Sequence, residues 1–465
     1  MSAVSHNNSS SEIRLSDLGG SPFHERISVT RDRVSDDVID QLEDTKPSRR
    51  YQSLLVLCGF LMIFQVIGIN STYGLFQEFY TSPGSNIRDA QGQDARVALV
   101  GTIGSGLTWG GSIFVNPLIA RVKNTRIITL SGAFIMSAGI ILASFSTELW
   151  HLYLTQSLLY GVGSSLLYFP IMALAPRYFD RHRGFAMGLI LSGSGVGGLV
   201  IAPTLHYLIV RYGVRWCLRI LGLWTLVISI PVACVVRQPP AFNVGGRAAG
   251  TRVNISLLKR GTFLAQTLGA FLQASGNMVP LFYLTTYSTS VLAYPSSTGS
   301  LLLALNNGIN SLSRAGMGIL ADRIGRQNTL VASVILSSLA VFGLWYDAAR
   351  PRFIAFVVLY GIYAGGYNAL LPTTITEVYG VQNYNAVNGF IYFLRGLGAI
   401  FGAPIAGLIL GSHSRTATTG SSVFLQKRYN DLVIYDGALL TGASICVAYV
   451  RWLDARDKGG WKWKA

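Results

Sequence analysis

The hydrophobic residues of this chain form a series of long apolar runs. They do not alternate with polar residues, as in a half-buried strand, and they do not form the single apolar stripe of a soluble helix. From Tyr51 onward the runs are roughly 20 residues long, enough to cross a hydrocarbon core of about 30 Å as a helix. We count about twelve of them. They lie approximately at 52–77, 97–120, 127–147, 149–175, 184–210, 215–236, 262–289, 297–320, 328–346, 353–376, 385–410 and 431–452.

The composition supports a membrane protein. Half of the 465 residues are hydrophobic and only 12% are charged, whereas about a quarter of the residues in a soluble domain are charged. We therefore predict an all-α polytopic protein in a lipid bilayer, with about 12 transmembrane helices. Residues 1–50 differ, because Ser, Asp, Arg and Asn dominate there and no apolar period emerges; we predict a disordered cytoplasmic tail.

The net charge of +16 is explained by the position of the basic residues along the chain. About 21 of them flank the apolar runs on one face of the membrane and about 9 on the other. The positive-inside rule then puts both termini in the cytoplasm, and we expect an integral protein of the plasma membrane. A nucleic-acid partner is not expected, since the charge follows the membrane topology.

An internal repeat divides the apolar part of the chain into two halves. "GLILSGSGVGGLVIAP", Gly188 to Pro203, and "GFIYFLRGLGAIFGAP", Gly389 to Pro404, share the pattern Gly, six residues, Gly-x-Gly, four residues, Ala-Pro. Parallel repeats of six spans place a solute site near the midplane, between two bundles that rock against each other. We predict six-helix bundles at 51–237 and 261–453, a cytoplasmic linker at 238–260 and a cytoplasmic tail at 454–465.

Two motifs carry a family resemblance. "GILADRIGR", Gly318 to Arg326, resembles the cytoplasmic signature loop of the major facilitator superfamily. "YFDRHRGFAMGLILSGSGVGG", Tyr178 to Gly198, is similar to the fourth-to-fifth-span signature of the monocarboxylate porter family, particularly its fungal members. The resemblance covers about 51–452 and implies the major facilitator fold, with two six-helix halves in pseudo-twofold repeat. We also predict that Asp322 forms charge pairs with the basic residues around it on the cytoplasmic side, which hold one access state closed. The predicted gating residues are Asp322, Arg323, Gly318 and Arg326.

The chain departs from part of this family pattern. Proton-coupled lactate and pyruvate carriers of the family have a Lys in the first span and an Asp one turn before the Arg of the eighth. Here Asn70 stands at the Lys and Asn310 at the Asp, so only Arg314 of that set remains. The resemblance therefore does not imply the standard proton-linked monocarboxylate mechanism.

Polar residues inside the apolar runs predict a solute site. Asn306, Asn310 and Arg314 are spaced i, i+4, i+8 and share one helical stripe. A central Arg costs at least about 2.5 kcal/mol in hydrocarbon, so it should face a cavity. Arg395 is a second cation inside a run, and Asp and Glu fall near run ends, as Asp436 does. Two guanidiniums without a carboxylate partner in their own helices favour an organic anion.

The predicted substrate-binding set includes amides and aromatic residues from several runs. Aromatic surface suits amphipathic ring compounds, because ligand pockets combine apolar walls with a few polar anchors. Two alternatives stay open: the Asn side chains only join helices, and Arg395 is satisfied by carbonyls or by a tyrosine face. The set comprises Arg314, Asn310, Asn306, Arg395, Tyr392, Asn277, Asn70 and Tyr363.

Other classes of activity lack the residues that they need. No Walker sequence occurs, the four cysteines have no metal-ligand spacing, and no nucleophile-base pair can be placed in a run, so we expect no cofactor, no metal and no enzyme activity. We predict a secondary active transporter of a small amphipathic organic anion, functional as a monomer, that exports a fungal secondary metabolite. Proton-coupled uptake of a monocarboxylate or riboflavin-like nutrient, and a non-transporting nutrient sensor, remain the alternatives.

Overall fold

The structure is a computed structural model that describes residues 48–122, 124–174, 178–179, 183–236, 260–411 and 421–460. In these ranges the regular structure is helical and contains no strand. The helices are α1 Arg49–Ser71, α2 Tyr73–Thr81, α3 Asp94–Gly110, α4 Ser112–Arg121, α5 Thr125–Ala143, α6 Leu149–Leu152, α7 Tyr160–Leu174, α8 Arg183–Val235, α9 Gly261–Ser290, α10 Ser296–Ile324, α11 Arg326–Ala340, α12 Arg350–Leu410 and α13 Ser421–Asp457. Segments of π-helix at Tyr153–Leu159 and Val341–Trp345 join α6 to α7 and extend α11.

Helical structure occupies all twelve predicted runs. Two long helices each contain two runs and turn sharply at a glycine: α8 at Gly213, where φ is 79°, and α12 at Gly380, where φ is 77°. Glycine adopts positive φ without the steric penalty of a Cβ, so these residues allow the chain to reverse direction. Eight helices in the described part are long and apolar enough to cross a membrane. α9 and α10 are not among the eight, since polar residues interrupt their apolar sequence.

The predicted terminal and linker segments fall largely outside the described residues. This holds for the tail at 1–50, of which the structure describes the last three residues, and for the linker at 238–260, of which it describes Arg260. At the other end, α13 continues to Asp457, beyond the predicted bundle boundary at 453. The domain boundaries therefore stay predictions.

The second glycine of each Gly-x-Gly motif packs against the first helix of its own half. A methyl group on Gly197 of α8 would lie 2.1 Å from the Phe64 carbonyl oxygen of α1. At the equivalent position in the repeat, a methyl group on Gly398 of α12 would lie 2.2 Å from the Phe271 carbonyl oxygen of α9. Both distances are far below van der Waals contact, so only glycine lets these backbones approach so closely. The sequence repeat is therefore also a repeat in three dimensions.

The first glycine of each motif packs against the opposite half. A methyl group on Gly195 would lie 2.4 Å from the Asn307 carbonyl oxygen of α10, and one on Gly396 would lie 2.5 Å from the Gly106 carbonyl oxygen of α3. Each motif thus joins its helix to its own bundle on one side and to the other bundle on the other side. A cavity lies between the two halves, bounded by these crossings.

The two halves also meet at the end of the helices that carries Thr81 and Ser290. There Thr285 Oγ1 of α9 donates a hydrogen bond to the Gly74 carbonyl of α2 at 3.3 Å. Ser296 Oγ donates to Glu78 Oε1 at 3.1 Å. The predicted topology makes this the extracellular end.

Candidate functional site

The central cavity contains about 980 Å³ of space between atoms, including its solvent-open part. Helices α1, α3, α7 and α8 of the first half and α9, α10 and α12 of the second half line it. It brings together seven of the eight predicted substrate-binding residues, which are Arg314, Asn310, Asn306, Arg395, Tyr392, Asn277 and Asn70. Residues that are far apart in sequence thus share one space, as the repeat predicts.

Arg314 is held by residues of both halves. Its Nε donates to Asn310 Oδ1 at 3.1 Å, one turn earlier on α10. Its Nη1 donates to the Leu191 carbonyl at 2.9 Å and to Ser194 Oγ, both on α8. The Nη2 group forms no hydrogen bond with another described residue. One face of the guanidinium is therefore available to a ligand in the cavity.

Arg395 lies in an aromatic cage. The side chain is only 4% exposed, and its Nη2 donates to Asn368 Oδ1. The guanidinium carbon lies 4.9 Å from the ring centre of Trp109, 5.6 Å from that of Tyr367 and 5.7 Å from that of Tyr392. A desolvated cation over an aromatic face gains about 2 kcal/mol. The cage therefore stabilises the buried charge without neutralising it.

The two arginines have no acidic counterpart in the described part of the chain. Neither guanidinium forms an ion pair with a described carboxylate. Two positive charges thus face one cavity, and an anion between them would gain electrostatic energy from both. Since a guanidinium presents several N–H groups in a plane, it matches the two oxygens of a carboxylate.

Two of the predicted amides join helices. Asn306 Nδ2 donates to the Val357 carbonyl of α12 at 2.8 Å, and Asn70 Nδ2 donates to Thr108 Oγ1 of α3 at 3.4 Å. Asn277 forms no side-chain hydrogen bond with another described residue. The helix-joining use left open by the sequence therefore occurs at two of these amides, and solute binding by the amides stays a prediction.

Tyr363 is the predicted substrate-binding residue that does not line the cavity. Its backbone carbonyl accepts a hydrogen bond from Ser333 Oγ of α11 at 2.6 Å. This part of α12 therefore faces α11 rather than the cavity.

The predicted gating loop lies where α10 ends and α11 begins. Asp322, Arg323 and Arg326 are exposed, and Gly325 turns the chain with φ at 99°. Asp322 forms no ion pair with a residue whose side chain is described. A methyl group on Gly318 would have no neighbour within 4 Å. Gating by this loop stays a prediction.

Sequence reasoning missed several residues of the cavity wall. Asn368 lies eight residues after Tyr360 on the same face of α12, and both line the cavity, so helical spacing would have found it. Trp109 lies in the glycine-rich "GSGLTWGGS" segment, where it is the one large ring among small residues. Tyr168 of α7 and Ser194 of α8 also line the cavity. Their partners are remote in sequence, so no local pattern marks them.

The expected position of Asp436 near a span end is wrong. α13 begins at Ser421 and ends at Asp457, so Asp436 lies inside a continuous helix. Its side chain is completely buried. The second half therefore does contain an acidic residue in the interior of a span.

Comparisons with known proteins agree with this architecture. Over 86% of this chain and 88% of its own length, the MFS-type transporter pynF of Aspergillus niger is 27% identical. The Agnestins efflux protein AgnL12 of Paecilomyces divaricatus is 27% identical, with 77% of this chain and 81% of the relative covered. Monocarboxylate transporter 13 of Rattus norvegicus is 28% identical, with coverage of 77% and 82%.

A solved structure shows the same fold. The crystal structure of a bacterial homolog of the human lysosomal transporter Spinster, in an inward-facing and occupied conformation, superposes with a TM-score of 0.65. It covers 90% of this chain and 100% of that chain at 15% identity. The sequence profile of the Major Facilitator Superfamily matches residues 55–403 and 315–458. The profile spans nearly all of the two repeated helical halves that surround the central cavity. This match establishes that the chain belongs to the Major Facilitator Superfamily.

Proposed function

We propose that this protein is a secondary active transporter that exports a small amphipathic organic anion, a fungal secondary metabolite, by alternating access. The observation that carries the proposal is the pair Arg314 and Arg395, which face one cavity without an acidic partner among the described residues. The family already makes the protein a membrane transporter of small molecules. The charge of the cavity supports the class of its solute.

The charge argument favours an anion over a neutral solute. A cationic side chain away from water is stabilised by an opposite charge and by full use of its hydrogen-bond donors. Arg314 has an Nη2 group without a described partner, and Arg395 relies on one amide and on aromatic faces. A carboxylate would supply both arginines with a negative charge and with hydrogen-bond acceptors. A cation would meet repulsion from both.

The walls of the cavity favour an amphipathic solute with a ring. Trp109, Tyr168, Tyr360 and Tyr392 contribute aromatic surface. Ligand sites of this kind bind mainly through apolar contact and use a few polar groups for orientation. The cavity therefore suits an aromatic organic acid better than a small acid such as lactate. Apolar side chains complete the wall; they include Ile63, Ile67, Met278 and Leu281.

Export is supported by the name of one relative and by two positions at which this chain differs from lactate carriers. AgnL12 is named an efflux protein of agnestins. Asn70 and Asn310 stand where lactate carriers of the resembled family have a Lys and an Asp. Likeness to monocarboxylate transporter 13 supports the second candidate, uptake of a monocarboxylate. Export predicts that loss of the protein raises the intracellular level of the solute, and uptake predicts that it lowers this level.

The proposal includes an orientation and an oligomeric state. The excess of basic residues on one face supports cytoplasmic termini. Export to the medium places the proposed transporter in the plasma membrane. A functional monomer is proposed, because the described cavity is enclosed by helices of both halves of one chain. The role is transport rather than enzymatic catalysis, and its partners are the solute and the bilayer, without nucleic acid.

The test compares small molecules inside and outside cells of the source organism. Strains that lack the gene, or that express the wild type, Arg314→Gln or the matched control Arg211→Gln, would be profiled for organic anions by mass spectrometry. Arg211 is exposed on α8, away from the cavity. Membrane abundance of each variant would be measured in parallel.

Export predicts that at least one aromatic acid accumulates in cells that lack the gene. The wild type and Arg211→Gln should restore its release, and Arg314→Gln should not, at equal abundance. An unchanged distribution of every organic anion would overturn the proposal. A monocarboxylate that remains in the medium only when the gene is absent would favour uptake instead.

A further inference from the structure

Asp436 is a buried acidic residue that the anion site does not use. It is completely buried in α13, and neither of its carboxyl oxygens forms a hydrogen bond with a described residue. An ionised carboxyl without partners is strongly disfavoured in the interior of a membrane protein. The neutral acid is the form that this environment tolerates. Such residues inside spans typically carry protons or ions.

The described residues of the helices around Asp436 supply no opposite charge. Gly276 of α9 lies against the carboxyl, since a methyl group there would be 3.2 Å from Oδ1. α11 contributes Ser338, which donates to the Gly437 carbonyl at 3.2 Å, and the π-helical segment after α11 contributes Phe342 beside Gly437. Two titratable groups interact electrostatically with Asp436 in the described part, and these are Tyr360 of α12 and Tyr435 of α13.

Helix α9, which lies against the Asp436 carboxyl, also lines the solute cavity. Tyr360 lines the cavity, and its buried hydroxyl has no hydrogen-bond partner among the described residues. Asn277, the residue after Gly276, also lines the cavity. Gly276, which lies against Asp436, therefore directly precedes a residue of the cavity lining, and Tyr360 belongs to that lining. A change in the packing of α9 on α12 would open a path from the carboxyl to cavity water.

We infer that Asp436 is the proton-binding site of the transport cycle. A proton from cavity water forms the O–H bond of the carboxyl while α9 and α12 are apart, and the buried state holds the neutral acid. When the wall opens to the other side, the O–H bond breaks and the proton returns to water. Tyr360 relays the proton between Asp436 and the cavity. This inference rests on the transport activity of the family and deepens the proposed function, because it names the coupling ion.

The test needs no solute. Full-length protein in lipid nanodiscs would be examined by infrared spectroscopy for the carbonyl stretch of a protonated carboxylic acid, over a pH series and after transfer to heavy water. Asp436→Asn removes the acid. Asp431→Asn is the matched control, because Asp431 is exposed on the same helix. Folding of every variant would be checked by its elution and heat stability.

The wild type and Asp431→Asn should show the band at neutral pH and lose it at alkaline pH, and Asp436→Asn should lack it. The band should shift in heavy water, because the proton exchanges with the cavity. Tyr360→Phe keeps the ring and removes the relay, so it should slow that shift at least several-fold. This variant keeps the inference testable if Asp436→Asn does not fold.

Three results would overturn the inference. They are equal spectra for the wild type and folded Asp436→Asn, a band that neither titrates nor exchanges, and an exchange rate that Tyr360→Phe leaves unchanged. A metabolite comparison without any exported anion would refute the proposed solute and direction, and it would leave these spectra unaffected. The failures of the two proposals are therefore distinguishable.

Discussion

The guanidinium of Arg395 lies 4.9 Å from the centre of the Trp109 ring, and the two residues belong to opposite halves of the protein. Arg314 makes a similar connection, because it donates hydrogen bonds to Leu191 and Ser194 across the cavity. Both cationic residues of the site thus contact the opposite half. An anion that binds both residues is held by groups that contact both halves, so solute binding and the relative position of the halves are linked energetically.

The first prediction concerns Trp109. Trp109→Leu removes the ring over Arg395, and we expect apparent solute affinity to fall by roughly three- to thirtyfold, since the lost cation–π energy is about 0.5–2 kcal/mol. Trp109→Phe should lose less, because a smaller ring remains. Transport kinetics of the exported acid, at matched membrane abundance, provide the measurement. Trp224→Leu is the control, because Trp224 is exposed on α8. Equal kinetics for Trp109→Leu and the wild type would contradict the role of the cage.

The second prediction concerns Arg314. Arg314→Lys keeps the charge and loses the planar fork, so it cannot reproduce the bonds to Asn310, Leu191 and Ser194 together. Loss of a charged hydrogen bond costs about 1.5–3 kcal/mol, or roughly ten- to a hundredfold in apparent affinity, and Arg314→Ala should lose more. Transport assays beside surface abundance separate a binding role from a structural one. Wild-type kinetics for Arg314→Ala at normal abundance would show that this residue does not bind the solute.

The third prediction concerns the repeated glycines and needs no solute. Gly197→Ala and Gly398→Ala each put a methyl group against a backbone oxygen that cannot move away, at 2.1 and 2.2 Å. Overpacking typically costs about 1–3 kcal/mol, so we expect less folded protein and lower heat stability for both variants. Gly316→Ala should be tolerated, because its methyl group would meet nothing within 4 Å. Size-exclusion profiles after a heat step provide the measurement. Equal stability of all three variants would contradict the described crossings.

The fourth prediction concerns the loop after α10. Asp322 is exposed and lies outside the cavity lining, so Asp322→Ala should leave folding and membrane delivery largely intact. We expect a lower transport rate with little change in apparent affinity, because the proposed charge contact biases the access states without touching the solute. Asp89→Ala at the opposite end of the protein is the control, since Asp89 is also exposed. An unchanged maximal rate for Asp322→Ala at normal abundance would argue against a gating role.

The sequence alone determined the membrane class, the helical architecture and the repeat. In a bilayer the backbone must satisfy its hydrogen bonds within each segment, so long apolar runs can only be helices. The Gly-x-Gly motif also predicted close helix packing from sequence alone, because only glycine allows the contacts that Gly197 and Gly398 make. The stripe of Asn310 and Arg314 followed from helical spacing, and both residues line the cavity.

The tertiary structure decided which faces of the helices meet in the cavity. Trp109 and Arg395 are far apart in sequence, and their contact depends on how α3 crosses α12, which no local pattern records. Tyr363 follows Tyr360 by one turn, yet the packing of α11 on α12 leaves it outside the cavity lining. The depth of Asp436 likewise depends on where α13 begins and on Gly276 of α9. Hydrophobicity is a property of single residues, so the sequence alone determines which segments span the membrane. The burial of a side chain and its contacts depend on how pairs of helices pack, so they require the assembled bundle.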